Sequence, residues 1–149
     1  MHKVVWDMDP GIDDALALIL ALKSPEVQVL GITTVAGNAP VEMTSANALR
    51  VLEYVNAESI PVAMGASHPL DRPLEDALSY HGSDGLGNCN LPPPKLSLHP
   101  AKAWDFLARL VWDAPGEVTL VATGPLTNVA YAFELHPELP ELLAKLVLM

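Results

Sequence analysis

Apolar and polar positions along the chain change period several times, and each change marks an element. Val4, Val5 and Trp6 are β-formers, and alternation through Val5, Asp7 and Asp9 predicts a strand whose end carries both acids on one face. Pro10 keeps Asp9 extended, and Gly11 is expected to let the chain turn sharply. Ile12 to Lys23 has no helix breaker and is apolar all round, which predicts a helix buried on most sides. Val27 to Val35 is β-branched and mostly apolar, as in a strand covered on both faces. Pro40 to Asn56 predicts a helix with an inward stripe of Val41, Ala48, Leu49, Leu52 and Val55, and with Arg50 and Glu53 toward water. A short strand over Ile60 to Met64 completes a strand–helix–strand–helix–strand run, which implies right-handed crossovers and a parallel sheet.

The periodicity then stops. From Gly65 to Pro100 the chain is irregular and rich in Gly and Pro, with Pro92-Pro93-Pro94 and the loop Tyr80-His81-Gly82-Ser83-Asp84-Gly85-Leu86-Gly87-Asn88. Beyond it, Ala101 to Asp113 predicts an amphipathic helix with Ala103, Phe106, Leu107 and Leu110 inward, and with Trp104 and Trp112 as packing residues. Glu117 to Ala122 reads as a strand, and Lys145 to Met149 as a last one. Thr123-Gly124-Pro125 reads as a helix start, with Pro125 in the first position and Thr123 as an N-cap. There is no internal repeat, and 149 residues suit one domain.

Composition narrows the partners. Eighteen acids against eight bases give a net charge of −10, which argues against nucleic-acid backbones and anionic membranes and for a cation or neutral ligand. The longest apolar run, Ala15 to Leu22, is far short of the roughly 20 residues that span a bilayer. A strand beginning by residue 3 leaves no room for a signal segment, so a cytoplasmic location is expected. Cys89, the single cysteine, excludes an internal disulfide and is expected to be a small buried residue.

The chemistry concentrates in Asp7, Asp9, Asp13 and Asp14. Two carboxylates about 4 Å apart repel by roughly 4 kcal/mol at an effective dielectric near 20. A helix N-terminus returns only about 0.3–1 kcal/mol per charge. The acids therefore splay into water, take up protons or enclose a cation. Oxygen donors with no Cys or His nearby select a hard ion, Ca²⁺ or Mg²⁺.

Asp7-Met8-Asp9-Pro10-Gly11-Ile12-Asp13-Asp14-Ala15 resembles the N-terminal Asp-x-Asp-x-Gly-x-Asp-Asp-Ala signature of the inosine-uridine-preferring nucleoside hydrolases. Gly37-Asn38, the His81-Gly82 loop with Gly85 and Gly87, and Ala122-Thr123-Gly124-Pro125-Leu126-Thr127-Asn128 are similar to family segments in the family's order. The resemblance implies a Rossmann-like α/β fold, mostly parallel and flanked by helices, of which residues 1–149 are the N-terminal portion. It implies hydrolysis of the N-glycosidic bond of a ribonucleoside, with Ca²⁺ as cofactor, in a homo-oligomer. Asp9 would be general base and metal ligand, Asp14 a second ligand and Thr123 a third through its carbonyl. Asp13 would face a ribose hydroxyl, His81 the base end of the pocket, and Asn38 the metal and attacking water, with Asp7 in support. The resemblance also implies a mobile loop around His81. A further Asp ligand, an Asn-Glu-Asn ribose set and a His near the leaving base would lie beyond Met149.

Other readings of the residues are weaker. An Asp-x-Asp phosphohydrolase wants Thr where Gly11 stands and has no use for Asp13-Asp14; an EF-hand from Asp7 fails at Ile12 and Leu18. A cation-binding chain without catalysis is a third reading. Neither a dinucleotide nor a Walker-type phosphate motif is present.

Overall fold

The computed structural model describes residues 1–149 and places five parallel strands in one sheet of order β3-β2-β1-β4-β5. The strands are β1 (His2–Met8), β2 (Val27–Thr34), β3 (Val62–Met64), β4 (Val118–Ala122) and β5 (Lys145–Leu148). The helices are α1 (Ile12–Lys23), α2 (Val41–Tyr54), α3 (Leu78–His81), α4 (Ala103–Trp112), α5 (Thr127–Leu135) and α6 (Leu139–Leu142). The expected α/β architecture is present. β3 keeps only three of its five expected residues, and the irregular stretch holds one helical turn, α3.

Each sheet face has its own core, because successive side chains of a strand point to opposite sides. Val4, Trp6 and Met8 pack with Ala15 and Leu18 of α1 and Ala48, Leu49 and Leu52 of α2. Val5, Val118, Leu120 and Ala122 pack with Leu107 and Val111 of α4, Val129 and Ala132 of α5 and Leu139 of α6. Right-handed crossovers explain this split: chain running from β1 to β2 and β3 leaves its helices on one face, and the return across to β4 and β5 leaves them on the other.

One consequence corrects the all-round burial expected of α1. Leu16 is 63% exposed and Leu20 72%. On the α1 face no helix of this chain covers β4 and β5, so the outer stripe of α1 borders an open apolar cavity of about 480 Å³ lined by Val4, Trp6, Leu20, Val27 and Val121. Every residue of β5 is exposed. Cys89 also departs from expectation, being exposed in the irregular stretch rather than buried.

The solvent-facing reading of Arg50 and Glu53 is incomplete as well. Glu53 Oε1 accepts the backbone N–H groups of Lys95 and Leu96 at 2.6 and 2.7 Å, and Arg50 donates to the Pro92 carbonyl at 3.3 Å. A proline-rich segment has few amides for a ladder, so side chains of α2 hold it instead.

Candidate active site

The acids gather outside the carboxyl ends of β1 and β4, where the strand order reverses, the usual ligand crevice of an open parallel sheet. Asp7 is the last but one residue of β1 and Asp9 lies one residue beyond it. Asp13 and Asp14 occupy the first turn of α1.

Asp9 is wedged between two glycines. A Cβ on Gly124 would stand 2.8 Å from its Oδ1, and a Cβ on Gly37 would overlap its Oδ2. Close approach, and not backbone freedom, is what the Gly37-Asn38 pair supplies. Asn38 is not left-handed; its backbone N–H donates to Asp9 Oδ2 at 2.7 Å and its Nδ2 to the Asp9 carbonyl at 3.1 Å. Gly11 is likewise extended (φ −98°) and makes no left-handed turn; a Cβ there would meet the His81 ring at 2.7 Å.

Asp14 reaches back to accept the Asp9 backbone N–H at 3.2 Å. The Asp9 and Asp14 carboxyls also act on each other's charge. Burial, chiefly, pushes the Asp9 carboxyl up to about 7, with the Asn38 N–H opposing and the Asp14 charge adding to the rise. Burial raises Asp14 too, against a hydrogen bond from the Thr123 hydroxyl.

Asp7 is fully buried. Its Oδ1 accepts the Thr33 hydroxyl at 2.6 Å and Asn128 Nδ2 at 2.7 Å, while its Oδ2 has no hydrogen-bond partner. Burial pushes this carboxyl to about 7 even though both hydrogen bonds lower it. Asp7 therefore leans on Thr33 and on Asn128 of α5 through Oδ1, and the nearby Asp14 charge adds to its rise. Strand alternation ends at Met8.

Thr123 sits in the turn after β4, its N–H on the Asp7 carbonyl at 2.9 Å and its hydroxyl accepting Trp6 Nε1–H at 3.1 Å. It caps no helix. α5 begins at Thr127 with Leu126 before it, so Pro125 is not its first residue. Asp13 is exposed, and its Oδ1 lies 4.0 Å from His81 Nδ1. That nitrogen accepts the Ile12 N–H at 3.2 Å. His81 thus sits over the start of α1, beside Asp13.

The structure brings Asp9, Asp14, Asn38 and Thr123 together, with Asp13 and His81 at the rim. No three Asp, Glu, His or Cys side chains converge on one point. A cation here would have two carboxylates and require further oxygens. An adjoining cavity of about 240 Å³ is lined by Gly37, Pro125, Arg72, Pro73 and Glu75. The 450 Å³ cavity between α2 and the Pro92–Leu96 segment contains none of the predicted residues. Trp104 stacks near Tyr131 and Trp112 donates to Glu138, both remote from the acids.

Sequence reasoning missed Asn128, Thr33 and Asn47. Asn128 also donates to the Thr34 carbonyl and accepts the Ala66 N–H, so one amide ties Asp7 to three chain segments. The available signal was a polar residue at the inward side of a helix start.

Buried acids at the switch point of a parallel sheet place the chain among the open α/β proteins, whose ligand crevice lies at that point. Residues 4–149 match the inosine-uridine preferring nucleoside hydrolase family, and the chain belongs to it. It is 45% identical over 149 residues to probable uridine nucleosidase 2 of Arabidopsis thaliana, covering 99% of this chain and 46% of that protein. It is 46% identical over 148 residues to the pyrimidine-specific ribonucleoside hydrolase RihA of Photobacterium profundum, covering 99% and 48%. A plant nucleoside hydrolase, the PpNRh1 enzyme, superimposes with a TM-score of 0.94 at 41% identity, covering 99% and 47%. The chain spans about half the length of these relatives.

Proposed function

We propose that this chain supplies the carboxylate half of a site that hydrolyses the N-glycosidic bond of ribonucleosides to ribose and free base. The observation that carries the reading is the buried Asp9–Asp14 pair, raised in pKa and hydrogen-bonded through the Asp9 amide, at the switch point of a family member's sheet.

The residues fit a hard cation. A fully buried Asp7 oxygen without a partner and two raised carboxylates mark a region short of positive charge. Asp9, Asp14 and the carbonyl of Thr123 would hold Ca²⁺, with water and other oxygens completing six to eight ligands. When bound, the ion lowers the pKa of a coordinated water.

The chain's own groups do the rest. Asp9, held by the Asn38 N–H, is placed to accept a proton from water, and a base near neutrality is well matched to that task. Asn38 fixes both ends of Asp9 through its backbone and side-chain amides. Asp13 faces solvent at the rim, open to a ribose hydroxyl, with His81 beside it toward the base. The transition state is oxocarbenium-like, and clustered carboxylates stabilise positive charge on the sugar. The exposed Leu16 and Leu20 stripe and β5 suit self-association, and the lone thiol of Cys89 suits a reducing compartment.

The phosphohydrolase alternative gains nothing from the family match, and Gly11 against the His81 ring leaves no place for the threonine that motif uses. Calcium titration by calorimetry tests the site: wild type binds, and Asp9→Asn and Asp14→Asn lose at least tenfold in affinity. Equal binding by all three overturns the ligand assignment. Release of uracil or hypoxanthine from uridine or inosine tests the reaction.

A further inference from the structure

The loop after α3 is a closed arch. Asp84 Oδ1 accepts the N–H groups of Leu86 and Asn88 at 2.8 Å each, and its Oδ2 accepts that of Asn90 at 2.9 Å. Asn88 Oδ1 in turn accepts from the Ser83 backbone and hydroxyl at 2.9 Å. Gly82, Gly85 and Gly87 have positive φ, which glycine adopts freely, and so do Asn88 and Asn90, where the conformation persists because surrounding contacts hold it.

One buried side chain joins this arch to the acid-bearing turn. Asn47 on α2 is fully buried; its Nδ2 donates to the Asp84 carbonyl at 3.0 Å and, at a longer 3.4 Å, to the Pro10 carbonyl. Its Oδ1 is taken by Arg50 Nη1 at 2.8 Å, which fixes the amide's orientation and aims both N–H bonds at the two carbonyls. Gly85 lies directly against it, where a Cβ would come within 2.8 Å of Nδ2. The arch's Leu86 is buried in the α1–α2 core, and His81, at the arch's other end, accepts the Ile12 N–H.

We propose that Asn47 is a positioning residue, a latch that joins the 82–90 arch to the Asp9-Pro10-Gly11 turn and so holds His81 over the start of α1 before any ligand arrives. A held arch runs against the expectation of a mobile loop around His81. Two carbonyls from segments 74 residues apart, Pro10 and Asp84, meet one donor group. The relevance to catalysis rests on the placement of His81 at the base end of the site.

Hydrogen exchange on the intact chain tests the latch without requiring turnover. Asn47→Asp keeps the volume and the oxygen facing Arg50 but removes the two N–H bonds. The amides of Leu86, Asn88 and Asn90, and the Ile12 amide bound to His81, are expected to exchange at least tenfold faster, with β1 and β2 amides unchanged. A packing role would leave these rates intact in Asn47→Asp and raise them only in Asn47→Ala. Rates within twofold of wild type in Asn47→Asp overturn the proposal. If Asn47→Asp does not fold, Asn47→Ser is read by the same rates and the same threshold. Loss of the latch with calcium binding intact, or the reverse, separates this inference from the assignment of Asp9 and Asp14.

Discussion

Two sets of aspartates in this chain are treated in opposite ways. Asp84 is half-buried: desolvation works against its charge, but the N–H groups of Asn90, Leu86 and Asn88 together hold its carboxyl below the usual carboxylate range. Asp7, Asp9 and Asp14 are buried with few donors and lie above that range. An acid saturated with amide donors is finished as a structural part. An acid buried against other acids lacks positive charge, and a proton or a cation completes it. Three carboxylates left in that state, at the mouth of the sheet, separate the candidate active site from the arch more sharply than any cavity does.

The largest expected effect comes from removing the proposed general base. Asp9→Ala should lower release of free base from uridine or inosine by roughly 10²–10⁴-fold, with the cation-free melting temperature unchanged or higher. Wild-type turnover would erase the distinction between the two sets.

The next effect is on stability against pH. Asp7 has a folded value of about 7 against an ordinary 3.8. Below pH 4 both states hold the proton and its contribution is intact. Between there and pH 7 the unfolded chain ionises first, so stability falls as pH rises. About three units at 1.36 kcal/mol each cap the loss near 4 kcal/mol for an isolated site. Urea unfolding of the cation-free protein should therefore give a higher midpoint at pH 5 than at pH 8, and Asp7→Asn should flatten the profile. Calcium at pH 8 should recover part of the loss.

Asp84 should have the opposite sign. Its value is depressed, so its contribution is present above the ordinary carboxylate pKa and disappears as acid drives the pH down through the folded value. Exchange at Leu86, Asn88 and Asn90 should accelerate in acid beyond the intrinsic chemistry, and Asp84→Ala should produce about a fivefold or greater acceleration at neutral pH. The smallest effect belongs to Leu20→Glu, which should change stability by no more than about 0.5 kcal/mol while reducing self-association in sedimentation.

Much of the fold and of the acid cluster is legible in the amino-acid sequence. The alternation of apolar strands and helices predicts the parallel sheet, and Asp9-Pro10-Gly11 with Asp13-Asp14 locates the site because those residues are adjacent along the chain. What is not legible depends on distant partners. Asn128 meets Asp7 across 121 residues and Asn47 meets Asp84 across 37, and nothing local to either amide records the partner. Thr123 looks like a helix cap because the Thr-Gly-Pro chemistry suits one, yet tertiary contacts with Trp6 and Asp14 occupy its hydroxyl. The periodicity of α1 reports its composition faithfully but cannot say that part of the sheet beside it lacks a cover.

The placement of β4 beside β1 has a kinetic consequence. Lys3 to Asp7 must wait for Val118 to Ala122 before their second ladder can form, and contacts so distant in sequence are slow to close and late during synthesis. Thr123 arrives with that same closing step, hanging its amide on the Asp7 carbonyl. Chemistry-bearing geometry is thus withheld from the nascent chain until its central seam has zipped.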